Sequence, residues 1–246
     1  MRFVYFLFLT TIFNIILIPA YAANNTHNVI NIPDFSEYKN VKQKKSAFFD
    51  FMRKIIKTEN NRILLTRNKL KSLQKKKSIS TGDKLWISKI AKKYNVVIKH
   101  HKDKKMWKEF LARVDIVPLE LAMAQSANES RWGTSRFALK GRNFFGQWCF
   151  RKGCGLVPKR RDKGAAHEVA VFKTVNDSVA AYIHNLNTGR VYAGLRNIRQ
   201  QLRAKNKQPE AIAMAAGLSK YSIRRMAYVK EIRSMIRYNR KLMIGS

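Results

Sequence analysis

The sequence is poor in cysteine, glycine and proline, and each shortage excludes a class of protein. Its 246 residues include 2 Cys, 11 Gly and 5 Pro. Two cysteines are too few for a disulfide-rich scaffold or a four-cysteine zinc site. The low glycine and proline content excludes collagen-like and proline-rich chains. Hydrophobic residues make up 46 %, a normal share for a chain that folds around a core, so we do not expect disorder over the whole length.

Acidic residues are also scarce in comparison with basic ones. The chain has 15 Asp and Glu against 50 Lys and Arg, which gives a formal net charge of +35 at pH 7. A chain with this charge attracts polyanions over long distances. Nucleic acid, acidic lipid head groups and anionic cell-wall polymers all qualify as partners. A lysine-rich background composition is the alternative explanation.

Apolar runs of near-membrane length are confined to the N-terminus. Arg2 precedes an apolar run over residues 3–17, and Ala20 and Ala22 form an A-x-A site. This pattern is typical of a secretory signal peptide. We expect residues 1–22 to be a signal peptide, with an uncleaved membrane anchor as the alternative. Export predicts a place in the periplasm or cell envelope and argues against nucleic acid as the natural partner.

The first half of the remaining chain divides by composition. Residues 23–45 are polar and rich in Asn and Lys, which predicts a tether. Residues 46–112 form a basic helical region, because apolar residues recur at helical spacing around Phe48–Ile56 and again over 62–73. These two patterns predict two helices at its start.

The second half, residues 113–246, reads as one mainly helical domain. Pro118 suits the first turn of a helix that ends near Ser130. Residues 131–164 predict a loop, and the weak alternation over 167–172 predicts a strand. Asn176 is the predicted N-cap of the next helix.

Glu129 is the carboxylate whose surroundings are most unusual. It ends an alanine-rich helix, where the helix dipole is negative, and it precedes Trp132. The dipole and burial beside an indole both raise the pKa of a carboxyl group. A protonated carboxyl group in a cleft is what glycoside cleavage needs to protonate the leaving oxygen. A hydrogen bond to the following backbone turn is the alternative role for Glu129.

Three segments in order along the chain resemble glycoside hydrolase family 73, bacterial glucosaminidases that act on peptidoglycan. Residues 127–135, A-N-E-S-R-W-G-T-S, are similar to the E-S-x-W-G-x-S motif of that family. Residues 143–146, N-F-F-G, resemble its N-L-F-G segment, and Tyr221 and Tyr228 resemble its paired tyrosines.

The resemblance covers roughly residues 45–240. The helices over 46–73 and the loop from Cys149 to Cys154 are similar to the Bax-like branch of the family. The resemblance implies a mainly α, lysozyme-like domain with a small β-hairpin, preceded by extra N-terminal helices.

Carried over by position, the resemblance implies that Glu129 is the general acid. The family's second carboxylate usually lies on a β-hairpin, so Glu168 on the predicted strand is the candidate and Asp162 is the fallback. The alternative role for Glu168 is that of a strand residue paired with a surface lysine. Retaining and inverting routes differ in the distance between the two carboxylates, which the sequence does not supply. A substrate-assisted route requires no second carboxylate, so all three routes stay open. Tyr228 is expected to orient the 2-acetamido group or water, with core packing as the alternative.

The same segments supply the predicted substrate-binding residues. Aromatic faces stack on the C–H faces of sugars, so the aromatic residues near Glu129 favour a glycan groove. Trp148 is the best candidate for a groove wall, whereas Phe145 is expected in the core, and core packing is the alternative for Trp132 and Phe144. The predicted set is Trp132, Ser135, Asn143, Phe144, Trp148 and Tyr221.

Cys149 and Cys154 have a C-x4-C spacing. In an oxidising compartment this pair closes a short loop as a disulfide. A zinc site would need two more ligands, and His167 and His184 match no common zinc spacing. We therefore expect no metal and no cofactor.

Arg131 departs from the family pattern, because small residues are common at its position. A cation so close would lower the pKa of Glu129 unless it points outward. Arg224 and Arg225 add a basic patch between the paired tyrosines.

Residues and resemblance together predict an exported endo-β-N-acetylglucosaminidase that hydrolyses the bond between GlcNAc and MurNAc in peptidoglycan. A lytic transglycosylase and a non-catalytic basic binder of anionic envelope polymers are the alternatives. Peptidoglycan glycan strands are the expected partner, and an anionic membrane surface is a second candidate. We expect a monomer.

Overall fold

The computed structural model describes residues 31–159, 161 and 164–245. The predicted signal peptide, residues 1–22, and the fallback carboxylate Asp162 lie outside the described residues. In the described part, no helix combines the length and apolarity that a membrane span requires.

Helices dominate the described chain. They are α1 (Val41–Lys75), α2 (Thr81–Tyr94), α3 (Lys104–Arg113), α4 (Leu119–Ser130), α5 (Arg136–Gly141), α6 (Val175–Thr188), α7 (Ala193–Ala204), α8 (Ala211–Ala215) and α9 (Met226–Ile244). The strands are β1 (Trp148–Cys149), β2 (Gly155–Leu156) and β3 (Glu168–Ala170), and two 3₁₀ turns cover Arg190–Tyr192 and Ala216–Leu218.

Helix α1 is one helix of 35 residues where the apolar pattern predicted two. Its buried face continues from Phe48 to Leu73 without a break in the helix. In the polar middle of α1, Asn60 lies on the buried face, where the backbone of Val117 satisfies its amide. The Asn60 amide donates to the carbonyl oxygen of Val117 at 2.8 Å and accepts from its N–H at 3.3 Å.

The chain before α1 packs on the helical body. Phe35 is fully buried, and its ring makes an edge contact with Phe48 at 5.3 Å between centroids. A side chain at Gly133 would collide with the Phe35 ring. Helix α1 begins at Val41, so the end of the range predicted as a tether, 23–45, is folded structure.

Helix α4 is the centre of the packing. It ends at Ser130, as predicted, but begins at Leu119, so Pro118 is its N-cap rather than a first-turn residue, and most of its residues are buried. Its small side chains at Ala122, Ala124 and Ala127 let neighbouring helices approach closely. Helices α1, α8 and α9 pack against it.

The predicted β-hairpin is a three-stranded antiparallel sheet in the order β1-β3-β2. The predicted strand, β3, lies in the middle, and Val169 is opposite both Trp148 in β1 and Leu156 in β2. The segment 131–164, predicted as a loop, therefore contributes two short strands as well as α5. The fold is the mainly α, lysozyme-like architecture that the sequence predicted.

The N-cap of α6 differs from the prediction. Thr174 caps the helix instead of Asn176, and its hydroxyl accepts from the N–H of Asp177 at 3.1 Å. The Asp177 carboxylate in turn accepts from the N–H of Thr174 at 3.0 Å. This reciprocal capping box satisfies two free backbone donors.

A buried ion cluster joins α1, α3 and α7. Asp115 is 1 % exposed and accepts two hydrogen bonds from Arg203, at 2.9 and 3.1 Å. Arg67 and Arg199 lie 3.4 and 4.0 Å from the same carboxylate and donate to backbone carbonyl oxygens within residues 111–116. Burial alone would raise the pKa of Asp115, but the arginines outweigh it and hold the pKa below its usual value.

We expect Asp115→Asn to destabilise the fold strongly. It leaves buried arginines without their counter-charge, and breaking a buried ion pair in this way costs about 3–5 kcal/mol. Urea unfolding at pH 7 measures the loss. The control is Asp103→Asn at the N-cap of α3, where asparagine caps as well as aspartate. Equal midpoints for the two variants would contradict the prediction.

Candidate active site

A cleft of about 390 Å³ opens beside the C-terminal end of α4. Segment 145–148 and the loop before α9 form its walls. The lining residues are Glu129, Phe145, Gly146, Gln147, Trp148, Asn185, Tyr192, Tyr221, Ser222 and Ile223. Within this described lining, Glu129 is the one carboxylate.

A tight backbone reversal places Glu129 at the end of α4. Arg131 and Trp132 both have left-handed backbone angles, with φ of 53° and 58°, and Gly133 follows with φ of 79°. The Ser130 hydroxyl accepts from the N–H of Gly133 at 2.8 Å. The chain therefore turns away directly after Glu129, which leaves its side chain at the helix end.

A second glycine brings backbone close to the carboxyl group of Glu129. Gly146 has φ of 62°, and a Cβ there would lie 3.3 Å from Glu129 Oε2. Asn143 holds this turn, because its Oδ1 accepts from the N–H groups of Phe145 and Gln147 at 3.3 and 3.1 Å. Backbone can therefore form one wall of the cleft immediately beside the carboxyl group.

Burial raises the pKa of Glu129 above its usual value, which is the direction expected from the sequence. The nearby hydroxyl of Tyr228 lowers the pKa, as does the amide of Asn128, which donates to Glu129 Oε1 at 3.4 Å. Two charges act in opposite directions: Glu231 raises the pKa and Arg224 lowers it. Burial is the largest of these effects, so Glu129 keeps its proton to higher pH than an exposed glutamate does.

The paired tyrosines stack beside Glu129. The rings of Tyr221 and Tyr228 lie 5.4 Å apart at an angle of 9°. Tyr221 lines the cleft and donates to the carbonyl oxygen of Phe145 at 2.9 Å. Tyr228 is buried behind it, and its hydroxyl accepts from the Gln125 amide at 2.9 Å.

Comparison with known proteins identifies the family of the chain. The glucosaminidase family model, described as mannosyl-glycoprotein endo-beta-N-acetylglucosaminidase, matches residues 104–241. The chain belongs to this family. The Escherichia coli K12 protein named "Protein bax" is 32 % identical over 220 residues, which cover 89 % of this chain and 78 % of that protein. No solved structure is a significant match.

Membership of the glucosaminidase family supports a glycoside hydrolase activity and implies a glycan substrate. The matched range contains Glu129, both tyrosines and the whole cleft lining. Chemically, the cleft offers a carboxyl group whose pKa is raised by burial, next to aromatic side chains.

Two of the predicted substrate-binding residues of this glucosaminidase line the cleft, Tyr221 and Trp148. Trp148 is 58 % exposed. Its ring stacks on His167 at 3.9 Å and 15°, which leaves the other face open. Trp148 therefore has the position expected of a groove wall.

The other four predicted substrate-binding residues are not among the described lining residues. The Trp132 ring packs against Phe48 of α1 at 5.6 Å, and Phe144 is fully buried. Ser135 caps α5, and Asn143 supports the turn around Gly146. These residues support the backbone around Glu129 and the neighbouring turns, and their contact with sugar stays a prediction.

Glu168 is buried in the sheet, away from the described cleft lining. Its two oxygens accept from the N–H groups of Gly153 and Gly155 at 3.0 and 2.7 Å, and these bonds lower its pKa. The predicted disulfide between Cys149 and Cys154 closes the same loop. The geometry gives Glu168 a structural role in this loop and does not support the predicted catalytic role.

An ion pair near Glu129 was not singled out from the sequence. Arg131 is exposed, and the cation that acts on Glu129 is Arg224, which lies 2.8 Å from Glu231. The sequence signal that could have indicated Glu231 is its spacing, because it follows Tyr228 by three residues and so lies on the same face of α9.

We expect Glu168→Gln to lower the melting temperature at pH 7, because one carboxylate oxygen that accepts an N–H is lost. The folded-state pKa of Glu168 is lowered, so its stabilisation is present above about pH 4.5 and is lost as the pH falls through the folded value. The difference from wild type should therefore shrink in acid. Glu109→Gln, at a half-exposed carboxylate paired with Arg113, is the control with a smaller expected change.

We expect Glu231→Gln and Arg224→Gln to shift the pKa of Glu129 in opposite directions. Loss of the Glu231 charge removes repulsion and lowers the pKa, whereas loss of the Arg224 charge removes attraction and raises it. Titration of the Glu129 carboxyl carbon by NMR measures both shifts. Shifts of the same sign in both variants would contradict this account.

Proposed function

We propose that this glucosaminidase is an exported endo-β-N-acetylglucosaminidase that hydrolyses the GlcNAc–MurNAc bond of peptidoglycan, with Glu129 as the general acid. One observation carries the proposal. The cleft holds a carboxyl group whose pKa is raised by burial, between stacked tyrosines and the exposed ring of Trp148.

The proton transfer follows from these surroundings. Burial keeps Glu129 protonated to higher pH, so it can donate a proton to the glycosidic oxygen as the bond to the anomeric carbon breaks. The hydroxyl of Tyr228 stabilises the carboxylate that this transfer leaves behind. Stabilisation that grows as charge develops lowers the barrier rather than only tightening binding.

The second catalytic group is proposed to come from the substrate. Glu168 uses both oxygens on backbone N–H groups, and Glu231 pairs with Arg224. In the described lining Glu129 therefore acts without a second free carboxylate. The carbonyl oxygen of the 2-acetamido group can then attack the anomeric carbon, and water opens the resulting ring.

The same observation favours a second candidate, a lytic transglycosylase. That reaction also needs a single carboxyl group, because a hydroxyl of the muramic acid itself attacks the anomeric carbon. Its product carries a 1,6-anhydro end, whereas the hydrolase product has a reducing sugar. The two candidates therefore differ in a mass that can be measured.

The place of action is proposed from the N-terminal sequence and the charge. The signal-like residues 1–22 favour export to the periplasm or cell envelope. The net charge of +35 complements the carboxylates of peptidoglycan peptides and would also attract an anionic membrane surface.

We expect Glu129→Gln to abolish release of sugar fragments from purified peptidoglycan while the protein stays folded. Removal of a general acid costs roughly 100- to 10,000-fold in rate. Mass spectrometry of the soluble products measures the loss, and reducing N-acetylglucosamine ends are the expected wild-type product. The matched control is Glu120→Gln at the opposite end of α4, which should retain activity.

Other product patterns separate the alternatives. Anhydro-muramic ends would assign the lytic reaction and retain Glu129 as the acid. A folded wild-type protein that binds peptidoglycan but releases nothing would favour a basic binder. Undiminished release by Glu129→Gln would remove Glu129 from the chemistry.

A further inference from the structure

Gln125 joins two tyrosines inside the core behind the cleft. It lies on α4, four residues before Glu129, and its side chain is fully buried. The Tyr182 hydroxyl donates to Gln125 Oε1 at 2.7 Å, and Gln125 Nε2 donates to the Tyr228 hydroxyl oxygen at 2.9 Å. Nothing in the sequence pattern distinguished this glutamine from its small neighbours.

The direction of these bonds decides where the Tyr228 proton goes. A hydroxyl group has one proton, and an oxygen that accepts from an amide still has that proton to donate. Tyr182 donates to the amide oxygen, so the amide nitrogen faces Tyr228. The Tyr228 proton is thereby left for the neighbouring carboxyl group of Glu129.

We propose that Gln125 is a positioning residue, which fixes the Tyr228 hydroxyl as a hydrogen-bond donor to Glu129 throughout the reaction. The inference rests on the proposed role of Glu129 as the acid. Gln125 does not touch the substrate in this arrangement. It acts through Tyr228 by preventing the hydroxyl from turning its proton elsewhere.

Tyr182, Gln125 and Tyr228 form a hydrogen-bonded relay, which lies in packed parts of the fold. The Tyr182 ring stacks on Phe145, a cleft residue, at 3.8 Å and 10°. Burial raises the pKa of both Tyr182 and Tyr228 above the usual tyrosine value, so both hydroxyl groups stay protonated. The relay therefore stabilises the carboxylate with neutral donors, which would not repel a proton returning to Glu129.

Several titratable or charged groups face Glu129 and must be considered in a pH test. They are Tyr228 and Glu231 on α9, Arg224 and Tyr221 on the loop before it, Tyr182 on α6 and Tyr192 on the first 3₁₀ turn. The variants below alter none of the charged members of this set.

The test uses Gln125→Met and Tyr182→Phe in the full chain. Each leaves the Tyr228 hydroxyl without its fixed direction, so the pKa of Glu129 should rise and kcat should fall by roughly 2- to 10-fold with little change in KM. In a Tyr228→Phe background, neither substitution should have a further effect on the pKa. NMR titration of the Glu129 carboxyl carbon and steady-state kinetics measure these outcomes.

Tyr94→Phe is the matched control, because it removes a hydroxyl from another buried tyrosine, whose ring contacts His184. It should leave the pKa of Glu129 and kcat unchanged. If Tyr182→Phe lowers the unfolding midpoint but leaves the pKa and kcat at wild-type values, the role is purely structural and the proposal fails. The proposal also fails if the shift persists in the Tyr228→Phe background.

The carboxyl titration needs no turnover, which separates this proposal from the proposed function. If the Glu129 pKa rises in the two variants but the wild-type protein releases no sugar fragments, the positioning role of Gln125 is supported and the proposed substrate is overturned. If the Glu129 pKa is unchanged in the two variants and the wild-type enzyme is active, the positioning role of Gln125 is overturned and the proposed function stands.

Discussion

The partial burial of Glu129 at the C-terminal end of α4 is the constraint on which the site depends. Burial favours the neutral acid, and it is the largest effect on the pKa of this group. The helix places the side chain there only because the chain reverses at once, through left-handed residues Arg131 and Trp132 and through Gly133. Left-handed backbone is costly for residues with a Cβ, so surrounding packing must hold the reversal in place.

That packing comes from the N-terminal part of the chain. Phe35 occupies the space that a side chain at Gly133 would need, and Phe48 and Phe49 hold the ring of Trp132. The family match begins at residue 104, yet α1 packs directly on the turn that follows the proposed acid. The N-terminal helices are thus part of the support for the site and not an appendage to it.

Periodicity and capping chemistry predicted much of the fold. Pro118 and the small residues of α4 identified the central helix, and the alternation over 167–172 identified β3. The single helix α1 could not be predicted locally, because Asn60 is accepted in its buried face only through Val117, which is distant in sequence. Thr174 displaced Asn176 as a cap because its bond with Asp177 is reciprocal.

The site was predicted less evenly than the fold. The sequence could locate Glu129 and the tyrosines because short motifs contain them, and the fold brings these motifs together at the cleft. The sequence could not distinguish a residue that lines the cleft from one that supports its backbone, as Trp132 and Asn143 show. The role of Gln125 could not be predicted from local sequence, because it depends on Tyr182, which lies 57 residues further along the chain.

The distribution of charge within the molecule also supports the proposed role of Glu129 as an acid. The chain carries a net charge of +35, yet the described lining of the cleft contains no lysine or arginine. A cation there would lower the pKa of Glu129 and weaken it as an acid. Arg224, which does act on Glu129, is paired with Glu231, so the two charges act in opposite directions at the acid. The excess positive charge can therefore attract an anionic polymer without deprotonating the group proposed to cleave it, while neutral tyrosine and amide donors stabilise the carboxylate.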